Sequence, residues 1–122
     1  MTYRASWNGV VLAESDKTVK IEGNQYFPAD SLNRQYFKPS QNQTVCPWKG
    51  VAGYYDVEVD GKVNKGAAWY YPTPSKAASA IKNHVAFWGG AKVTKVKPEV
   101  ATEGVEAEEG GLFGSLKRLF TG

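Results

Sequence analysis

Three side chains of this sequence could take part in covalent or acid–base chemistry: Cys46, Lys49 and His84. A cysteine becomes a strong nucleophile when a nearby base accepts its proton, so Cys46 and His84 could form a nucleophile–base pair if the fold brings them together. Lys49 could hold a phosphate group as a point charge. The opposing interpretation makes Cys46 a small buried hydrophobe and His84 an ordinary strand-end residue. These three residues are therefore candidates for catalysis and no more.

The composition of the chain argues against a metal or a cofactor. A structural zinc site needs four ligands, usually as two closely spaced pairs, and one cysteine with one histidine cannot supply them. No glycine-rich strand-to-helix loop is present to cradle phosphates. Asp56, Glu58 and Asp60 alternate along a predicted strand, which is typical of a solvated face rather than a magnesium site. We expect no metal and no cofactor.

Aromatic residues are concentrated around Lys49 and about twenty residues further on. They make up 13% of the chain, which is ample for a small domain. Adjacent strand residues point to opposite faces, so one member of each pair Tyr54/Tyr55 and Tyr70/Tyr71 is expected to face solvent or a cleft. This pattern predicts a groove for a small aromatic or phosphate-bearing ligand, and ordinary packing is the alternative. The predicted ligand-binding residues are Tyr26, Trp48, Lys49, Tyr55, Trp69 and Tyr71.

Turn signals divide residues 1–97 into short strands. Asn8-Gly9 and Asp60-Gly61 predict two-residue hairpins, and the lysine-rich stretch 92–97 predicts an edge strand. One short helix is predicted from Asp30 or Ser31 to Phe37, and residues 40–43 read as a polar loop. A second helix is predicted after Thr73-Pro74, through residue 82. About seven strands and two short helices indicate a mainly β (β+α) domain, a single small antiparallel sheet assembly that is closed or nearly closed.

The charge and the cysteine content limit the partners and the cellular location that we expect for this protein. Residues 1–98 hold 13 Lys+Arg against 7 Asp+Glu, but the basic residues are scattered rather than clustered, so we expect no nucleic acid partner. No apolar run approaches the roughly 18 residues of a membrane span, and no basic-then-apolar leader begins the chain. A single cysteine cannot form an internal disulfide. These features predict a cytoplasmic protein.

Seven ordered blocks of the sequence resemble a known family. The blocks are Trp7-Asn8-Gly9, Ala13-Glu14-Ser15, Glu22-Gly23-Asn24, Tyr26-Phe27-Pro28, Thr44-x-Cys46-Pro47-Trp48-Lys49-Gly50, Ala68-Trp69-Tyr70-Tyr71-Pro72 and Val85-Ala86-Phe87. They cover residues 5 to about 96 and resemble the family called domain of unknown function 427. The resemblance implies a small mainly β domain similar to the β-tent of Mss4-like folds, and it implies no defined activity.

The composition changes after residue 97. Residues 98–111 are rich in Glu, Gly and Ala and predict a flexible acidic linker. Residues 112–122 predict a short amphipathic docking helix, whose apolar residues share an arc of about 120°. The predicted docking residues are Leu112, Phe113, Leu116, Lys117, Arg118, Leu119 and Phe120.

Several partners fit this C-terminal segment. A groove on a partner protein is favoured over a membrane surface, because only two basic residues accompany the apolar ones and five upstream glutamates oppose them. A long acidic linker ending in a short apolar peptide also resembles the tails that load cargo into bacterial protein shells. The remaining alternative is a helix that folds back onto its own domain.

These features predict a non-enzymatic binding or adaptor protein. It would consist of a β domain with an aromatic ligand groove, tethered to a C-terminal helix that docks on a partner. The alternative is a small-molecule or nucleotide-handling enzyme that uses Lys49, Cys46 or His84 at the aromatic site.

Overall fold

The computed structural model describes residues 1–96, most of which form nine antiparallel strands. The strands are β1 (Thr2–Trp7), β2 (Val10–Ser15), β3 (Val19–Ile21), β4 (Asn24–Pro28), β5 (Phe37–Cys46), β6 (Gly50–Val59), β7 (Lys62–Tyr70), β8 (His84–Phe87) and β9 (Lys92–Val96). The mainly β prediction is confirmed. The predicted linker over 98–111 and docking helix over 112–122 lie outside the described residues. No helix within residues 1–96 is long and apolar enough to span a bilayer.

The strands form two open sheets rather than the closed or nearly closed assembly predicted from the sequence. The first has the order β2-β1-β9, and the second has the order β3-β4-β8-β7-β6-β5. Each order has two ends, so among the described residues neither sheet closes on itself. Strand β9 is an edge strand, as its alternating lysines predicted.

Four tight turns have a residue other than glycine in the left-handed region. Asn8 and Asp60 have φ angles of 52° and 51°, and each precedes a glycine, as the two predicted hairpins require. Asn83, which directly precedes β8, has a φ angle of 61°. The fourth is Glu22, at 54°, which precedes Gly23 between β3 and β4. The sequence had placed this turn one residue later, at Gly23-Asn24.

One face of the six-stranded sheet packs against the three-stranded sheet, and we call it the inter-sheet face. Its fully buried residues include Phe27, Val57 and Val59, which meet Ala5 and Leu12 of the smaller sheet. The Phe27 and Phe87 rings lie edge to face, with centroids 5.5 Å apart. This face is the main apolar core, and burial of a large side chain there contributes roughly 1.5–3 kcal/mol.

The opposite face, which we call the Lys49 face, carries a second buried cluster. Its members are Tyr26, Ala52, Tyr71, Ala78, Ile81 and Ala86, with Val19, Ile21, Cys46, Tyr54 and Trp69 packed against them. Ala78 and Ile81 come from the segment Lys76–Ile81, which covers this face. Because both faces are covered, the large sheet can hold aromatic side chains on each side.

Neither predicted helix forms as a regular α-helix. The segment expected to be helical up to Phe37 forms two 3-10 turns, Ala29–Ser31 and Arg34–Tyr36, and Phe37 starts β5 opposite Val57. The second helix is the 3-10 segment Lys76–Ile81, with a non-helical kink at Ala78 and no side-chain cap. Apolar residues that recur three or four positions apart occur in 3-10 turns packed on a sheet as well as in α-helices, so this spacing alone does not distinguish the two.

The predicted polar loop at residues 40–43 is also wrong. These residues lie within β5, where the register against β6 shifts between Pro39 and Gln43. Strand β5 is at the edge of its sheet, so its side chains are largely exposed and polar residues are tolerated. Proline is likewise tolerated on an edge strand, where no ladder hydrogen bond is lost.

Candidate functional site

The loop that joins β5 to β6 turns Lys49 under the large sheet. Cys46 pairs with Gly50, so Pro47, Trp48 and Lys49 form the loop. The backbone N–H of Ser75 donates to the Lys49 carbonyl at 3.0 Å, and the Ser75 hydroxyl donates to the Trp48 carbonyl at 2.5 Å. These two bonds fasten the loop to the segment that covers the Lys49 face.

Gly50 is required at the end of this loop. Its φ angle is 116°, and a Cβ atom at this position would lie 3.2 Å from the Thr73 carbonyl oxygen. An L-residue would therefore meet both an unfavourable backbone conformation and a crowded backbone atom. The glycine of the sequence motif is explained by backbone geometry alone.

Lys49 is 5% exposed and is the only charged residue buried among those described. Its ammonium group forms an ion pair with Oε1 of Glu22. The other oxygen of that carboxylate, Oε2, accepts a hydrogen bond of 3.2 Å from Nε1 of Trp48. Glu22 thus binds two of the three loop residues, from which it is separated by 26 and 27 positions in the sequence.

Aromatic rings enclose the lysine on two sides. The Lys49 ammonium nitrogen lies 5.5 Å from the centroid of the Trp48 ring and 5.4 Å from that of Tyr71. Both distances are within the range of an attractive cation–π contact. Deeper on this face the Tyr26 hydroxyl accepts a 3.1 Å hydrogen bond from Nε1 of Trp69. We call Glu22, Trp48, Lys49, Tyr71, Tyr26 and Trp69 the Lys49 site.

The charges of this site stabilise one another. Burial opposes the charged form of Lys49, but the hydrogen bond to Glu22 and the neighbouring tyrosines outweigh it, so the pKa of Lys49 is raised above its ordinary value. The hydrogen bonds from Lys49 and Trp48 lower the pKa of Glu22. Burial raises the pKa of Tyr71, against the opposing effect of the Lys49 charge. At neutral pH the site therefore contains an ammonium–carboxylate pair beside the neutral phenol of Tyr71.

This arrangement is unsuited to lysine-based catalysis. A lysine that serves as a base or nucleophile has a lowered pKa and a free lone pair. Lys49 has the opposite shift, and its ammonium is held by a carboxylate and two rings. The residue predicted to contact a ligand phosphate is buried and already paired.

The carboxylate partner was missed in the sequence analysis, although a signal for it exists. Asparagine and aspartate adopt the left-handed conformation more readily than other residues with a Cβ atom, and they occupy the other three such positions. The fourth left-handed position is occupied by Glu22, for which this backbone conformation is less favourable. A glutamate before glycine in a hairpin, where Asn or Asp is usual, indicates a side chain needed for its carboxylate.

Cys46 and His84 occupy different surroundings. Cys46 packs against the buried cluster of the Lys49 face. Nδ1 of His84 is 2.7 Å from the Lys82 carbonyl oxygen, so that nitrogen carries the proton and donates. Among residues 1–96 there is no hydrogen bond between Cys46 and His84.

His84 lines a cleft that we call the tyrosine cleft. The cleft has a volume of about 220 Å³ and is lined by Ala29, Arg34, Tyr55, Tyr70, Tyr71, Pro72, Asn83, His84 and Val85. The Tyr55 and Tyr70 rings are 4.8 Å apart between centroids, inclined at 31°. Tyr71 belongs both to this cleft and to the Lys49 site.

Five of the six predicted ligand-binding residues thus meet at the Lys49 site, and Tyr55 does not. Tyr55 and Tyr70 pack on the inter-sheet face, whereas Tyr54 and Tyr71 pack on the Lys49 face. Each adjacent pair is divided between the two faces, as strand geometry requires. Both faces are covered, however, so no member of either pair is fully exposed.

No cluster of three or more His, Cys, Asp or Glu side chains suited to a metal ion occurs within residues 1–96. No curated protein matches the chain. A family model described as "Domain of unknown function (DUF427)" matches residues 1–100, which include all nine strands, the Lys49 site and the tyrosine cleft. The chain therefore belongs to the DUF427 family.

Proposed function

We propose that this protein is a non-enzymatic binding or adaptor protein, in which the β domain binds a small ligand through its aromatic residues and the C-terminal segment docks on a partner protein. The setting proposed is the cytoplasm, since one cysteine cannot form an internal disulfide. For the two packed sheets we propose the β-tent arrangement of the family resemblance.

The observation that carries the non-enzymatic assignment is the state of Lys49. The Lys49 ammonium group is buried and ion-paired with Glu22, and its pKa is raised. Such a group holds a loop in one conformation, and as an ammonium it has no lone pair to offer near neutral pH. A rigid aromatic loop suits recognition, because little conformational entropy is lost when a ligand binds.

The docking role is supported by the sequence after residue 111. Five large apolar residues within eleven positions could contribute on the order of 7–15 kcal/mol if fully buried. Ordering those positions costs roughly 1–2 kcal/mol each. The segment therefore requires a preformed groove on a partner to bind as a helix.

Affinity capture with the full-length chain tests the docking role. The variant Leu116→Ser/Leu119→Ser removes apolar surface, and the matched control Lys117→Gln/Arg118→Gln removes only charge. We expect the first to lose captured proteins by at least tenfold and the second to retain them. Capture that is equal for all three chains would contradict docking.

Co-sedimentation with vesicles containing anionic phospholipid distinguishes membrane binding by the C-terminal segment from docking on a partner protein. A membrane-binding segment would carry the wild-type chain down with the vesicles, and both double variants would reduce it, because apolar burial and basic charge act together at an anionic surface. A protein-docking segment leaves the wild-type chain in the supernatant.

A further inference from the structure

The walls of the tyrosine cleft are held in place by packing. The Tyr70 ring packs against Tyr55 and lies close to Gly53, where a Cβ atom would come within 2.7 Å of the ring. Phe37 supports Tyr55 edge to face at 5.7 Å. The aromatic surface of the cleft is therefore preorganised, and a flat molecule would meet rings that need not move.

The rim of the cleft is also fixed. The backbone N–H of Ala29 donates to the Asn83 carbonyl at 2.8 Å, which joins the two segments that border the opening. Asn83 adopts a φ angle of 61°, and its neighbour His84 enters β8 at the cleft wall. A strained backbone position thus sets the direction in which the chain enters the site.

Two nitrogen-rich side chains of the cleft lack an acidic partner. Within residues 1–96, the ion pairs are Arg4–Glu14, Lys38–Glu58 and Lys49–Glu22, so Arg34 takes part in none. Its guanidinium makes one long hydrogen bond of 3.4 Å, to the Ala29 carbonyl. His84 also lines the cleft, and because its Nδ1 donates to Lys82, its Nε2 is a hydrogen-bond acceptor that has no partner among the described residues.

We propose that the tyrosine cleft binds a small aromatic anion, a single ring that carries one carboxylate or phosphate group. The ring would lie against Tyr55 and Tyr70, and the anionic group would face the guanidinium of Arg34. A guanidinium presents paired donors that match both carboxylate and phosphate geometry. Aromatic rings prefer offset or inclined contacts, which the half-buried rings of Tyr55 and Tyr70 can provide.

The size of the cleft limits the ligand to one ring. Drug-sized ligands occupy pockets of roughly 300–1,000 Å³, and this cleft offers about 220 Å³. A nucleotide, with base, sugar and phosphates, would not be enclosed. The inference rests on the proposed binding function and adds a location and a ligand class to it.

Titration of the ¹⁵N-labelled full-length chain with benzoate, phenyl phosphate and the neutral benzamide tests the site. We expect one or both anions to shift the backbone signals of residues 70–71 and 83–84, with at least tenfold higher affinity than benzamide. The anion that binds more tightly identifies the acidic group. Binding by neither anion, or equal binding of benzamide, would overturn the proposal.

Substitution of Arg34 provides a second test of the proposed ligand site. Arg34→Gln should weaken anion binding about tenfold or more, the loss expected for a charge-assisted hydrogen bond, while Arg34→Lys retains part of the affinity. Arg4→Gln is the matched control, because Arg4 pairs with Glu14 away from the cleft. If Arg34→Gln binds the anion as the wild type does, the assignment is wrong.

The two tests have separate outcomes. Loss of anion binding with capture still dependent on Leu116 and Leu119 would remove the cleft and leave the adaptor role. Anion binding that depends on Arg34, without capture through the C-terminal segment, would leave the ligand site and remove the adaptor role.

Discussion

The two faces of the six-stranded sheet use adjacent residues in opposite ways. Phe27 and Tyr26 are neighbours on β4, and both side chains are completely buried. Phe27 joins an inter-sheet cluster of apolar side chains, against Phe87. Tyr26 joins the Lys49 face, where its hydroxyl accepts a hydrogen bond from Trp69. One strand thus supplies an apolar core on one side and a polar network on the other.

The two faces contribute differently: the inter-sheet face stabilises the fold, and the Lys49 face specifies one conformation of the loop. Apolar burial is nondirectional and scales with area, so the inter-sheet face holds the two sheets together with few demands on exact geometry. A buried ammonium has to find its partners at defined positions, since an unpaired charge is very costly. The Lys49 face therefore selects one loop conformation, while the inter-sheet face supplies most of the folding free energy.

The largest effect is expected on the inter-sheet face. Phe27→Ala should lower the free energy of unfolding by about 3–5 kcal/mol, because it removes transfer free energy and leaves a cavity. Tyr26→Phe, at the adjacent position, should cost only about 1 kcal/mol, since it deletes one hydroxyl and one hydrogen bond. Urea unfolding of both variants measures the contrast. Similar losses for the two would remove the distinction between the faces.

A smaller effect is expected at the loop. Gly50→Ala should destabilise the domain by about 2–3 kcal/mol, because the new Cβ atom adds a clash with the Thr73 carbonyl to the cost of a positive φ. Gly61→Ala has a φ of 78° with open space around it, and should cost about 1 kcal/mol. Thermal unfolding of the two variants compares them. Equal melting temperatures would show that the contact with Thr73 relaxes freely.

The smallest effect at neutral pH is expected for Glu22→Gln, because Glu22 is half exposed, so solvent screens its charge, and the amide oxygen of glutamine can still accept a hydrogen bond from Lys49. The variant should be less stable than the wild type at about pH 7. The lowered pKa of Glu22 makes the contribution of the pair complete above the ordinary value of 4.5, and it is lost as the pH falls through the folded-state value. The two stability curves should therefore converge in acid.

Unfolding midpoints from about pH 3 to pH 8 measure this convergence. Glu14→Gln is the matched control: it removes a carboxylate from the exposed pair with Arg4, where solvent screening leaves little stability to lose. A Glu22→Gln deficit that is the same in acid as at neutral pH would mean that the side chain acts through turn geometry rather than through its charge.

The sequence predicts local features of this fold well. Asn8-Gly9 and Asp60-Gly61 specify their turns through backbone conformation alone, so both hairpins are where they were expected. The alternation at Val57 and Val59 likewise identifies the inward face of β6. These signals depend only on neighbouring residues, and tertiary contacts do not alter them.

Features set by distant contacts are predicted poorly. Phe37 extends an apparent helical spacing, but pairing with Val57 of β6 makes it a strand residue. The location of Lys49 depends on a carboxylate 27 residues away. Its burial could not be inferred from the residues around it, so the sequence predicted a ligand contact at Lys49 and not a buried ion pair.

The pairing of β1 with β9 affects how the chain can fold. Thr2 lies opposite Val96, so the three-stranded sheet joins the first and last described strands. Contacts between residues so far apart in sequence close late, because the loop entropy between them is lost before the pairing is gained. During synthesis, the hairpin β1–β2 and the run β5–β6–β7 can form as their strands emerge, but the two sheets are completed only by the last two described strands, β8 and β9. Until then, the apolar surface between the two sheets is only partly covered, and this interval is when the nascent chain is most exposed to aggregation.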